Sequence, residues 1–61
     1  MTDYDCAAHV ASAGHRATGA EIMAAKSAVE YDTHYSLHFY AKPTNDDRAL
    51  IRAASNRLIN K

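Results

Sequence analysis

Three groups of residues in this 61-residue chain have types and spacings that could do chemistry. Glu30, His34 and His38 recur every four positions, which on one continuous helix puts a carboxylate and two imidazoles on a single face. Imidazoles one turn apart can hold a transition metal, with the carboxylate as a third ligand. On a strand the same histidines stand about 13 Å apart and cannot share an ion. Tyr35 follows His34, where the His-Glu-x-x-His metalloprotease pattern needs glutamate. The spacing therefore reads as solvated or partner-facing histidines, with no metal or other cofactor expected.

Cys6 and His9 are three positions apart and could meet as a nucleophile and its base. Nothing in so short a chain supplies a scaffold for a substrate or an oxyanion hole, and no enzymatic activity is expected. Gly14 and Gly19 stand alone, so there is no phosphate cradle. The adjacent acids Asp46 and Asp47 are explained by helix capping rather than by paired-carboxylate chemistry. His15 falls in a turn and reads as surface.

The third group is basic. Arg48, Arg52 and Arg57, with Asn56, Asn60 and Lys61, give the last segment side chains suited to phosphates and base edges. A dimer would double that footprint. Against it stand Asp46 and Asp47 and a formal net charge of +0, since attraction to a polyanion is largely electrostatic. A nucleic-acid-binding dimer is accordingly the alternative, not the first reading.

The least ordinary stretch is aromatic. Tyr31, His34, Tyr35, His38, Phe39 and Tyr40 fall within ten positions. Tyrosine combines large area with a hydroxyl and is enriched in interface cores. These six residues are the expected interface. Histidine ordinarily changes charge near pH 6.5, so histidines enclosed in such an interface would make it pH-sensitive.

Three elements must position these groups. The first runs from about Asp3 to Ala13, with Asp3 or Asp5 as its expected cap and Gly14 closing it. The second opens with Thr18 and Glu21 at capping-box spacing, and its expected apolar face is Ile22, Ala25 and Val29 with Met23 at the edge. Residues 31–41 admit a continuing helix, since no Gly, Pro or Asn separates Val29 from Tyr31. They also alternate as a strand would. Helix is preferred, because no other segment offers a strand partner. Pro43 then breaks the chain, Thr44 caps with Asp47 three positions on, and Leu50, Ile51, Ala54 and Leu58 form the stripe of a last helix.

The expected fold is all-α, a single small domain over 1–61 of about three helices, completed by oligomerisation. The alternative is α+β, with residues 33–40 as a strand paired across a dimer. Oligomerisation is expected because 13 of the chain's apolar residues are alanine and little large side-chain area remains. Chains of this length bury only about 60% of their unfolded surface. With one cysteine there is no internal disulfide, which favours a reducing, cytoplasmic setting. The N-terminal region is acidic and shows no signal peptide, and no apolar run is long enough for a membrane. Residues 1–32 carry five acids against two bases, and residues 33–61 five bases against two acids. This segregation suits antiparallel or head-to-tail pairing of chains, or two plain solvated faces. The expected function is a non-enzymatic protein–protein interaction or regulatory module acting as a small oligomer, with an unlike protein as a further partner. A structural subunit of a larger assembly is a second alternative.

Overall fold

In the computed structural model, which describes residues 1–34 and 42–60, the chain forms three α-helices and one short 3-10 turn. Helix α1 spans Asp3–Ala11, the turn Gly14–Arg16, α2 Gly19–Thr33 and α3 Asn45–Ile59. The all-α expectation holds: no strand occurs among the described residues. None of the described helices is long and apolar enough to cross a membrane.

All three helices start in the same way. Thr2, Thr18 and Thr44 each accept a hydrogen bond from the backbone amide three residues on, at 3.1 Å. The carboxylates of Asp5, Glu21 and Asp47 accept in return from the threonine amides, at 3.3, 2.8 and 3.1 Å. Each reciprocal pair satisfies two amides that the helix itself leaves unbonded. The first of these boxes corrects the expected cap. Thr2, not Asp3 or Asp5, is the capping residue of α1, and Asp5 is its carboxylate partner. An aspartate three residues inside a helix serves the threonine better than it can serve itself.

Helix α1 also stops earlier than expected, at Ala11. Ser12 turns its hydroxyl back to donate to the carbonyls of Ala8 and His9, at 3.0 and 3.2 Å. Gly14 then takes φ of +63°, the left-handed conformation that an L side chain resists. A Cβ there would meet no atom within 4 Å, so the cost of a side chain is purely one of backbone. Gly14→Ala should therefore lower unfolding free energy by about 1 kcal/mol, read by urea denaturation, and should leave helix content unchanged.

Helix α2 passes Glu30 without a break, as the helix reading of residues 31–41 requires, and ends at Thr33 with His34 as its cap. Thr33, the first residue of the strand alternative, is helical. The helix reading in turn holds only through Thr33, and residues 35–41 lie outside the described residues. The closing run Tyr31, Asp32, Thr33, His34 consists of weak helix formers, so the end needs no glycine.

The core is made mainly of small side chains. Ala7 and Val10 of α1, Ala25 and Ala28 of α2, and Ile51, Ala54 and Leu58 of α3 are buried, with Cys6 beside them. Alanine has nothing beyond Cβ, so α1 and α2 can approach closely, and this is the most extensive helix pair in the fold. Closeness also decides which face of α2 turns inward. The buried line is Glu21, Ala25 and Ala28, whereas Ile22 and Val29 lie half-buried at the margins and Met23 is 72% exposed. This corrects the expected Ile22–Ala25–Val29 face. On α3, Ile51, Ala54 and Leu58 are buried as expected, but Leu50 is 39% exposed and Ser55 takes its place inside.

Candidate functional site

The described residues that carry most of the polar chemistry are the three arginines of α3, and each one clasps a carboxylate of another helix. Arg48 forks onto Asp32 near the C-terminal end of α2, with both guanidinium–oxygen distances 3.0 Å. Arg57 forks onto Glu21 at the opposite end of α2, with both distances 2.8 Å. The two clasps fix α2 and α3 in antiparallel order, one at each end. Arg52 reaches across to α1 and donates to Asp3 at 2.8 and 3.3 Å.

These clasps differ in their surroundings. The Arg48–Asp32 pair is largely buried, and two parallel hydrogen bonds give it geometric definition as well as charge. Both partners of Arg52–Asp3 are half exposed, so water screens the pair and it adds little. In the third, Glu21 keeps only 9% of its side chain in contact with solvent and accepts from Arg57, and its carboxylate also holds the Thr18 amide. Hydrogen bonds from Arg57, then from the Thr18 backbone, pull its pKa down to about 2 against the opposing effect of burial. Asp3 is lowered as well, chiefly by its hydrogen bond from Arg52. The guanidinium groups of Arg48, Arg52 and Arg57 are raised by the same bonds.

Arg16 and Arg57 complete a lock at the C-terminal end of α3. Arg16 donates to the Leu58 carbonyl at 3.1 Å, and Arg57 donates to the Arg16 carbonyl at 3.2 Å. A carbonyl of the last turn of α3, which has no partner within the helix, thus gains a cationic donor.

The other candidates are placed as follows. Tyr31 is half-buried near the end of α2, and His34 is exposed, with its ring nitrogen 3.9 Å from Glu30. Tyr35, His38, Phe39 and Tyr40 lie outside the described residues, so the structure brings only Tyr31 and His34 of the six into view. Glu30 and His34 are one turn apart as the spacing requires, and no cluster of three histidine, cysteine or carboxylate side chains suited to a metal occurs among the described residues. Cys6 is buried against the core. His9 instead meets Ser55 of α3, at 3.2 Å between Nδ1 and Oγ, and Ser55 in turn donates to the sulfur of Met1 at 3.6 Å. Sequence reasoning had no means to find this contact, because His9 and Ser55 are 46 positions apart and serine carries no pattern of its own. Ser55 is fully buried, which suits a hydroxyl that joins two helices and not one that attacks a substrate.

One open groove of about 270 Å³ lies along α2, lined by Met23, Ala24, Ser27, Lys42, Pro43 and Asp47. Its walls are mixed, with an ammonium, a carboxylate and apolar side chains. No known protein family, curated protein or solved structure matches the chain.

Proposed function

We propose that the protein is a non-enzymatic protein–protein interaction module that acts as a small oligomer. The observation that carries this reading is the distribution of its large apolar side chains. Val10, Ile51 and Leu58 are buried, while Met23, Ile59 and Leu50 remain 72%, 52% and 39% exposed, together with Met1 and Tyr4. A chain short of bulk that still leaves such side chains in water gains from covering them against a second surface. Tyr31, His34, Tyr35, His38, Phe39 and Tyr40 are the aromatic and imidazole side chains that this reading assigns to the same kind of contact. An unlike protein partner or a place in a larger assembly would use the same chemistry.

The nucleic-acid alternative asks more of the molecule. Arg48, Arg52 and Arg57 would each have to exchange an intramolecular carboxylate for a phosphate, and the bundle would lose the clasps that order its helices. Only the exposed Arg52 could make that exchange at little cost to the fold.

The test is native mass by light scattering across a dilution series, with Met23→Lys/Ile59→Lys as the paired variant. A mass above the monomer for the wild-type chain, shifted toward monomer in the variant, is the expected result. A wild-type chain that stays monomeric at every concentration overturns self-association as its mode of action.

A further inference from the structure

The groove along α2 has two walls of different chemistry. Met23, Ala24 and Ser27 form the α2 wall, while Lys42, Pro43 and Asp47 form the wall made by the approach to α3 and its first turn. The second wall carries an ammonium and a carboxylate, and both have bonding capacity to spare. Lys42 forms no ion pair with any described residue, Asp47 included. Asp47 gives Oδ2 to the Thr44 amide at 3.1 Å, and among the described residues no donor reaches its Oδ1. These two groups differ in that respect from the arginine–carboxylate clasps, which are closed within the chain. Beside them Met23 stands 72% exposed, a long apolar side chain lining a groove of about 270 Å³.

A surface that joins two copies about a two-fold axis must complement itself. A wall with one charge of each sign does so, because a half-turn sets each ammonium against the carboxylate of the other copy. A wall of one sign would repel its own image. From this arrangement we infer that the groove is the face through which two copies of this chain associate. They close groove on groove about a two-fold axis, with Lys42 of each on Asp47 of the other and with Met23, Ala24 and Pro43 covered between them. The inference rests on the reading of the protein as a small oligomer and assigns the face that forms it.

The two kinds of contact do different work. Covering Met23 and Pro43 removes apolar surface from water, a force that has no direction. The two ion pairs, one on either side of the axis, supply the direction, since a copy turned the other way would set ammonium on ammonium. Neither pair requires a bond within the chain to be broken. The capping box uses one carboxylate oxygen of Asp47 and leaves the other able to accept.

Sedimentation equilibrium at low salt tests the face by exchanging its charges. The wild-type chain should show a concentration-dependent dimer. Lys42→Asp should raise its Kd at least about tenfold, because two attractions become two repulsions. Lys26→Asp makes the same change of net charge at an exposed position of α2 outside the groove, and should leave the Kd unchanged. Asp47→Lys should weaken self-association as Lys42→Asp does. An equimolar mixture of the two variants should then recover the wild-type Kd as a heterodimer, with both pairs restored in opposite sense. Circular dichroism shows whether each variant keeps its helices. Should Asp47→Lys unfold for want of its capping carboxylate, the contrast between Lys42→Asp and Lys26→Asp decides. A wild-type dimer that ignores Lys42→Asp, an equal loss in Lys26→Asp, or a mixture of folded variants that stays monomeric overturns this face and leaves association through another. A wild-type chain that is monomeric at every concentration overturns the oligomer reading itself, and this face with it.

Discussion

Ile51→Ala should abolish most of the cooperative stability of this protein, while Leu50→Ala, one residue away, should leave it nearly intact. Ile51 is among the largest side chains that the fold buries completely. Around it the core offers chiefly alanines, with Val10 and Leu58 as the other sizeable aliphatic groups. Truncating a buried isoleucine to alanine costs about 2–5 kcal/mol, through lost transfer energy and the cavity left behind. A domain of this size has a total stability of roughly 3–9 kcal/mol, at about 0.05–0.15 kcal/mol per residue. The alanines on either side have no side-chain freedom with which to refill the space, which places the cost in the upper part of its range. Urea denaturation followed by circular dichroism should show a transition displaced to very low denaturant, or no folded baseline at all. Leu50 sits partly in water, and its truncation should cost no more than about 1 kcal/mol. Equal losses for the two variants would mean that the register of α3 against its neighbours is not the one described.

That contrast also shows what the sequence could disclose and what it could not. Leu50 and Ile51 belong to one apolar stripe by periodicity, and only the position of α1 decides which of them is enclosed. Helix starts were readable because they are local. Thr18 with Glu21 and Thr44 with Asp47 announce their capping boxes over four residues. Thr2 with Asp5 carries the same signal, obscured by the acids that follow Thr2. The face of α2 was misjudged because apolar periodicity weights large side chains, whereas close helix packing selects small ones. Ile22 lost to Ala25 and Ala28 on that ground. The charge imbalance between the two halves of the chain was visible as numbers, but its use was not. Asp3, Glu21 and Asp32 meet Arg52, Arg57 and Arg48 within one molecule, over separations of 49, 36 and 16 residues. Those pairings depend on the order and direction of the helices, which no local pattern encodes. The aromatic segment remains legible as composition, with Tyr31 and His34 its described members.

Acid should unfold the protein by a route that runs through Glu21. In the folded chain this carboxyl titrates at about 2, well below its ordinary 4.5, because Arg57 and the Thr18 amide bind its charged form. Once pH falls below about 4.5, the unfolded chain takes up a proton at this position and the folded chain does not. Stability from Glu21 is therefore complete above that pH and is lost progressively as pH falls toward 2. Asp3, lowered by Arg52, adds a contribution of the same sign. Glu21→Gln isolates the effect, because glutamine still completes a capping box with Thr18 but carries no charge for Arg57. The variant should be less stable at neutral pH and should lose stability less steeply between pH 5 and pH 2. Its curve should approach that of the wild-type chain at the acid end, where Glu21 too is protonated. Thermal melts across that range give both curves. Parallel curves would assign the acid sensitivity to the other carboxylates, whereas convergence assigns it to the Arg57 clasp. Arg57→Ala provides the complementary measurement: it leaves Glu21 buried without its cation, so its loss at neutral pH should exceed that of Arg52→Ala, whose Asp3 partner remains in water.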